Sequence, residues 1–152
     1  MRTGTVLTIE DDVATAGLIR DALEAVGYRV LHAVGGAGIA VACAEHPDVI
    51  LLDINMPGMD GPEVSRRLRA DPAVAHIPIV CMSSHVARGG APPGMPHDDR
   101  LPKPVALDVP RTTVARWGRT KGSDRQMPRL CSLGGVRRRR PDYWLRPARP
   151  AA

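Results

Sequence analysis

The residues best suited to chemistry each follow a short apolar run. Glu10 and Asp11 come after the first run, Asp53 after the third, Ser83 after the fourth and Lys103 after the fifth. Carboxylates gathered in one place repel each other by about 4 kcal/mol per pair at a separation of about 4 Å and an effective dielectric of about 20. A hard divalent cation removes that repulsion, so these acids, if folding brings them together, predict a metal site.

The chemistry of Mg²⁺ fits this set of residues. The ion prefers one or two carboxylates, a carbonyl oxygen and several waters. Asp11, Asp53 and the main-chain carbonyl of Asn55 would supply these ligands, with Glu10 acting through water. Asp53 at the tip of a buried strand is then a candidate nucleophile toward phosphorus.

Two further residues suit phosphoryl transfer, which needs charge neutralised on the equatorial oxygens. The metal and the ammonium of Lys103 could neutralise that charge, and Ser83 could donate a hydrogen bond to a phosphoryl oxygen. Each signal has an ordinary explanation when taken alone, because an acidic triplet is often solvated surface or a helix cap and a lone Asp is often a turn residue. Their order after strands one, three, four and five is the more specific indication.

An alternation of strands and helices would have to position these side chains. The predicted strands are residues 6–9, 28–34, 48–52, 77–82 and 100–101, and the predicted helices are residues 13–26, 38–45 and 62–70. Asp12 is a suitable N-cap for the first helix. Strands that alternate with helices need crossover connections, which predict an α/β fold with a parallel sheet covered on both faces. Functional residues of such sheets lie just beyond the carboxyl ends of the strands.

Residues 1–117 resemble the receiver domains of bacterial two-component response regulators. The matching motifs are Ile9-Glu10-Asp11-Asp12, the segment 53–61 (Asp-Ile-Asn-Met-Pro-Gly-Met-Asp-Gly), residues 77–79 leading to Ser83, and residues 101–104 (Leu-Pro-Lys-Pro). The segment 53–61 is highly specific, and the others are weak singly but correctly ordered. The resemblance implies a doubly wound, flavodoxin-like α/β domain whose five-stranded parallel sheet has the order 2-1-3-4-5.

The resemblance also implies a role for each of these residues. Asp53 would be the phosphoacceptor, Glu10 and Asp11 would serve Mg²⁺, Ser83 would be the switch hydroxyl and Lys103 would contact the phosphate. The donor would be a phosphohistidine on a sensor histidine kinase or a histidine phosphotransfer protein. We therefore expect a single-domain response regulator in a phosphorelay, a phosphoprotein rather than an enzyme, which signals to a downstream protein by conformational change.

The sequence departs from this family in the region that usually carries the output. Gly89-Gly90, Pro92-Pro93-Gly94 and Pro96 disfavour the fourth helix, so we expect at most one turn at residues 85–88, followed by a loop. The last helix, with Asp108 as a possible cap, has a narrow apolar stripe of Val114 and Trp117. Arg100 also stands where the family often has an aromatic residue, three positions before the lysine. Output through this face is expected to be weakened.

Charge divides the chain into two parts. Residues 1–117 carry 11 basic and 14 acidic side chains, whereas residues 118–152 carry 10 basic and 2 acidic ones, including the block Arg137–Arg140. The second part is also rich in Gly and Pro, which predicts a disordered basic tail. It could bind nucleic-acid phosphates without sequence preference, or be a solvated extension without function. No helix-turn-helix pattern is visible, so we expect no dedicated DNA-binding domain.

The remaining composition excludes several other classes of protein. The three Cys and five His have no metal-ligand spacing, and an odd number of Cys favours a reducing compartment. No apolar run approaches the roughly 20 residues of a membrane span, and the N-terminus does not resemble a signal peptide. We expect a cytoplasmic protein without membrane contact. A degenerate receiver acting as a phosphorylation-independent interaction module remains an alternative.

Overall fold

The computed structural model describes residues 4–84, 91–106 and 109–118. These residues form five strands and four helices in the order β1 (Thr5–Ile9), α1 (Val13–Glu24), β2 (Arg29–Ala33), α2 (Ala37–Glu45), β3 (Val49–Asp53), α3 (Gly61–Ala70), β4 (Ile79–Ser83), β5 (Asp99–Pro102) and α4 (Val109–Gly118).

All five strands lie in one parallel sheet with the order β2-β1-β3-β4-β5. Every residue of β3 and β4 is buried, as expected for central strands covered on both faces. The predicted α/β class, parallel sheet and strand order are therefore confirmed. Because the strands are parallel, their carboxyl ends share one edge of the sheet.

The sheet separates two layers of aliphatic core. On one face, Ile9, Leu52 and Cys81 belong to a cluster that includes buried residues of α2 and α3. On the other face, Leu51 and Met82 belong to a cluster that includes buried residues of α1 and α4. Burial at this level stabilises the fold by about 1.5–3 kcal/mol for each large aliphatic side chain. Alternate residues of each strand thus face opposite core layers.

The first helix begins where the sequence predicted but ends earlier. The side chain of Asp12 accepts hydrogen bonds from the amides of Ala14 and Thr15 and so caps the N-terminus. The helix ends at Glu24 rather than at Val26, because Gly27 adopts a φ of 94° and turns the chain toward β2. Val26 is 42% exposed and does not extend the buried stripe of the helix.

In its described part, the connection from β4 to β5 consists of turns and irregular chain rather than a packed helix. Residues 91–98 contain neither helix nor strand, as the Gly and Pro content predicted, whereas the expected turn at residues 85–88 lies outside the described residues. Met95 nonetheless reaches the core and is 5% exposed. The hydroxyl of Ser65 on α3 donates to the carbonyl of Pro96, and Arg69 pairs with Asp98. Side chains of α3 therefore hold this segment.

The last helix is better anchored than its narrow apolar stripe suggested. Val114 is fully buried, and the indole Nε1 of Trp117 donates to Asp99 Oδ2 at 3.0 Å. Nε of Arg111 donates to the carbonyl of Ala22 in α1 at 2.9 Å. The possible cap Asp108 and the basic tail lie outside the described residues, apart from Gly118 at the end of α4.

The bounds of all five strands differ from the sequence prediction by one or two residues. β4 starts at Ile79 rather than at residue 77, because Pro78 has no amide to donate to a sheet. β5 runs from Asp99 to Pro102, one residue longer at each end than predicted. In the described part of the chain, no helix is long and apolar enough to cross a membrane.

Candidate functional site

Three carboxylates meet at the carboxyl edge of the sheet. Asp53 is the last residue of β3 and is 3% exposed, and Glu10 follows β1, the neighbouring strand. One carboxylate oxygen from each of Glu10, Asp11 and Asp53 lies within 4.8 Å of the others. The sequence prediction that folding gathers these acids is therefore confirmed for all three residues.

Lys103 brings the positive charge into this group. Its Nζ lies 2.6 Å from Glu10 Oε2 and 3.2 Å from Asp53 Oδ1. The residue follows β5, and its amide donates to the carbonyl of Ser83 at the end of β4 at 2.9 Å. This hydrogen bond fixes the main chain of Lys103 at the carboxyl edge of the sheet. Its ammonium reaches the ends of β3 and β1, which are two and three strands away from β5.

The electrostatics of the cluster follow from burial. Glu10 has no exposed surface, and its burial raises the pKa of the carboxyl group to about 7, although the ammonium of Lys103 and the amide of Asp12 act in the opposite direction. Burial alone would lower the pKa of Lys103, but Glu10 and then Asp53 raise it above its usual value. The lysine therefore stays charged beside Glu10 and Asp53.

The loop that follows Asp53 is tied back to the sheet. The amide of Asn55 donates to Asp53 Oδ1 at 3.2 Å, and the amide of Ile54 donates to the carbonyl of Met82 at 3.1 Å. Asn55 therefore lies directly beside the acid, as the sequence predicted, and the metal-ligand role of its carbonyl stays a prediction. The amide of Gly61 closes the loop on the carbonyl of Ile54 at 3.1 Å.

Gly61 also explains a feature of the 53–61 motif. A Cβ atom at this position would lie 2.3 Å from the carbonyl oxygen of Asp53 and 2.7 Å from Cα of Ile54. Such distances are far below van der Waals contact, so any larger side chain would displace the backbone of the loop. The glycine allows α3 to start directly against the end of β3, and this close packing orients Asp53 at the end of that strand.

Ser83 ends β4, the strand next to Asp53. The β3–β4 register pairs Asp53 with Met82, so Ser83 lies one residue further toward the carboxyl edge. It is 4% exposed. The predicted position of Ser83 at this edge is confirmed, and the role of its hydroxyl as a switch stays a prediction.

The donor set fits a hard cation such as Mg²⁺, which takes oxygen ligands from carboxylates and carbonyls. Two of the acids are buried and one, Asp11, is exposed, so a bound ion could keep some of its water. The arrangement can also place a carboxylate oxygen of Asp53 next to a fixed ammonium, which suits attack on an anionic phosphoryl group.

Two features of the site were not predicted from the sequence. Glu10 was expected to reach a metal through water, yet it forms the shortest contact of Lys103 and also accepts from the amide of Asp12 at 3.1 Å. His32, one of five dispersed histidines, contacts the main chain of Glu10. The parity of β1 and β2 could have placed His32 and Glu10 on the same face, but not the contact itself.

A comparison with models of known protein families shows which family this chain belongs to. Residues 6–109 match the family model of the response regulator receiver domain. The chain belongs to this family. The expectation drawn from the 53–61 motif and its companions is confirmed.

The response regulators PleD and DivK are among the proteins that resemble this receiver domain in sequence. The chain is 39% identical over 103 residues to the response regulator PleD of Caulobacter vibrioides, an alignment that covers 66% of this chain and 23% of PleD. It is 34% identical over 88 residues to the polar-differentiation response regulator DivK of Brucella ovis, covering 57% of this chain and 72% of DivK. The matched region thus spans about a quarter of PleD but most of DivK.

Solved structures of other receiver domains share the fold. The receiver domain of the sensor histidine kinase PA1611 from Pseudomonas aeruginosa, with a magnesium ion coordinated in its active site cleft, superposes with a TM-score of 0.70 at 25% identity and covers 76% of this chain and 97% of that one. The receiver domain of a histidine kinase from Syntrophus aciditrophicus gives 0.66 at 27%, covering 81% and 97%. The chemotaxis response regulator CheY4 of Vibrio cholerae gives 0.64 at 26%, covering 74% and 96%.

Proposed function

We propose that this receiver domain accepts a phosphoryl group on Asp53 in the presence of Mg²⁺ and signals through the resulting change of conformation. The donor is a phosphohistidine of a partner sensor histidine kinase or histidine phosphotransfer protein. The domain acts in the cytoplasm as a regulated switch, not as an enzyme with a separate substrate. Family membership supports this role in a phosphorelay.

One observation carries the proposal. The carboxylate of Asp53 is almost fully buried and lies 3.2 Å from Lys103 Nζ. One of its oxygens lies within 4.8 Å of a carboxylate oxygen of Glu10 and of Asp11. A carboxylate in a turn or on a surface would have neither a fixed ammonium nor two further acids beside it. This combination supports both a nucleophile and the ligands of a charge-neutralising cation.

The proposed step transfers one phosphoryl group without any redox change. A carboxylate oxygen of Asp53 forms a bond to phosphorus while the bond between phosphorus and the donor imidazole nitrogen breaks, and that nitrogen keeps the bonding electron pair. Lys103 contacts the phosphoryl oxygens as they approach. Glu10, Asp11, Asp53 and the Asn55 carbonyl would hold Mg²⁺, which when bound would supply further neutralisation of the phosphoryl charge.

The proposed signal depends on Ser83. Its hydroxyl donates a hydrogen bond to the phosphoryl group on the neighbouring strand, and the connection after β4 rearranges with it. Arg100 stands where an aromatic side chain often follows that movement, so the readout differs from that of aromatic-bearing relatives. The partner reads this rearranged surface through protein contact. The basic tail takes no part in the proposal.

Incubation with Mg²⁺ and either acetyl phosphate or beryllofluoride tests the proposal. Wild type is expected to gain one phosphoryl group, seen by intact mass, or to show a Mg²⁺-dependent spectral change with beryllofluoride. Asp53→Ala should show neither response. Asp60→Asn is a matched control, because it removes a nearby exposed acid that caps α3 and keeps the capping oxygen.

Failure of the wild type to respond would contradict the proposal, and so would an equal response of Asp53→Ala. A wild type that stays unphosphorylated but still binds its partner would instead support the phosphorylation-independent interaction module. Binding of nucleic acid that is sensitive to salt and disappears on deletion of residues 118–152 would point to a separate function of the tail.

A further inference from the structure

We propose that His32 is a positioning residue that fixes the peptide group between Glu10 and Asp11. The inference rests on the proposed function, because its consequence is the placement of two acids that would hold Mg²⁺. His32 lies on the edge strand β2 and touches neither Asp53 nor Lys103 in the contacts found at the site. Its link to the site is a hydrogen bond of 2.7 Å between Nε2 and the carbonyl oxygen of Glu10.

The direction of this hydrogen bond follows from its chemistry. A main-chain carbonyl oxygen can only accept, so Nε2 of His32 must carry the hydrogen. The amide of Glu10 in turn donates to the carbonyl of Ala33 at 3.1 Å. Two consecutive residues of β2 therefore hold both polar groups of the Glu10 main chain, one through its backbone and one through its side chain.

The histidine replaces a donor that the sheet cannot provide. If the β1–β2 ladder continued past Ile9, which pairs with Ala33, the next amide to donate to the carbonyl of Glu10 would come from Gly35. The chain instead turns at Gly35, where φ is 55°, and leads into α2. The ring of His32 supplies the donor at the point where the ladder stops.

This contact acts on the two acids in different ways. The side chain of Glu10 is already held at both oxygens, by the amide of Asp12 and by Lys103. Asp11 is exposed, and its main chain continues directly from the carbonyl that His32 holds. Rotation of that peptide group would swing Asp11 away from Asp53, because the peptide is rigid and planar. Loss of the donor should therefore weaken the metal site more than it weakens the fold.

The test compares three variants of the full chain. His32→Gln keeps an Nε2 donor at a similar distance from the backbone, whereas His32→Leu fills the space without a donor. Val30→Ala, two residues earlier on the same face of β2 and packed against the core, lowers strand stability without touching Glu10. Mg²⁺ affinity is measured by calorimetry, the phosphorylation rate with acetyl phosphate, and the free energy of unfolding by chemical denaturation.

His32→Leu is expected to raise the Kd for Mg²⁺ by about tenfold, the size of effect seen when a group that orients a metal ligand is removed. The phosphorylation rate at subsaturating Mg²⁺ should fall in proportion and recover at high Mg²⁺. His32→Gln should restore both values toward wild type. Val30→Ala should lose stability and keep the Mg²⁺ affinity.

Three outcomes would overturn the inference. His32→Leu could bind Mg²⁺ as tightly as wild type, His32→Gln could fail to restore affinity, or Val30→Ala could lose as much affinity as His32→Leu. Each leaves the proposed function standing, provided that wild type binds Mg²⁺ and is phosphorylated. A wild type that does neither overturns the proposed function and this inference together.

Discussion

Lys103 lies closer to Glu10 than to Asp53, with 2.6 Å between Nζ and Glu10 Oε2 and 3.2 Å between Nζ and Asp53 Oδ1. Glu10 is fully buried, so this ammonium is the cationic partner of a carboxylate that water cannot reach. A phosphoryl group on the neighbouring Asp53 would compete with Glu10 for the same ammonium. Lys103 therefore stabilises the unmodified fold, and under the proposed function phosphorylation of Asp53 would draw its ammonium away from Glu10.

Replacing Lys103 with Met should lower the free energy of unfolding by about 1–3 kcal/mol, because the buried acceptor on Glu10 loses its partner. Phosphorylation with acetyl phosphate should also slow. Arg67→Met is the matched control, since it removes the same charge from an exposed pair with Glu63 and should change stability by less than about 1 kcal/mol. Chemical denaturation of both variants makes the comparison, and equal losses would contradict the assigned role.

The glycine at the start of α3 predicts a large difference between two similar substitutions. Gly61→Ala should lower the free energy of unfolding by about 1–3 kcal/mol or more, because its Cβ would meet the backbone of residues 53 and 54. Gly17→Ala in α1 has nothing within 4 Å and should raise it by about 0.5–1 kcal/mol. Thermal melting and phosphorylation rate measure both effects. Equal stability of the two variants would show that the loop between Asp53 and Gly61 can move without cost.

Asp99 predicts a defined pH dependence. Burial alone would raise the pKa of Asp99, but the hydrogen bond from the Trp117 indole, with help from the main chain and Arg116, lowers it below its ordinary value of 3.8. Its stabilising contribution is therefore complete above about that value and is lost as the pH falls through the lower folded-state pKa. Asp99→Asn should cost about 1 kcal/mol at pH 7.

The difference in unfolding free energy between wild type and Asp99→Asn should stay constant from pH 7 to about pH 5 and shrink below pH 4. Urea denaturation at several pH values measures it, and subtraction of the two proteins removes the effect of the other acids. A difference that grows as the pH falls would mean that Asp99 is not held as the carboxylate.

Thr8 offers a position where a polar group lowers stability. Its side chain is fully buried in β1, and its hydroxyl has no hydrogen-bond partner within residues 4–84, 91–106 and 109–118. Thr8→Val should raise the free energy of unfolding by about 1 kcal/mol, since it removes an unsatisfied buried group at nearly equal volume. Thr15→Val, which removes a hydroxyl bonded to Asp12, should instead lower it. A loss of stability in Thr8→Val would reveal a partner for the hydroxyl.

The strand ends could be predicted from the sequence because the pattern is strong there. Val49–Asp53 is a continuous apolar run with one acid at its end. A parallel sheet places the carboxyl ends of its strands at one edge, independently of how the side chains pack. Asp53 and Lys103 therefore came together as expected. The same reasoning placed Asp11 and Ser83 at that edge.

The finer contacts depend on side-chain geometry that periodicity does not contain. Whether Lys103 lies nearer to Glu10 or to Asp53 is decided by differences of less than 1 Å. The ion pair of Arg69 with Asp98 likewise joins residues far apart in the chain. Such contacts arise only once the layers are packed, so local patterns could not indicate them.

Mapping the phosphoryl group to a residue tests the central claim most directly. After reaction with acetyl phosphate and Mg²⁺, borohydride reduces the acyl phosphate of an aspartate to homoserine, which tandem mass spectrometry locates in the peptide. The account predicts a single homoserine at position 53, dependent on Mg²⁺. Homoserine at another aspartate, or no modification of a folded protein that binds Mg²⁺, would contradict it.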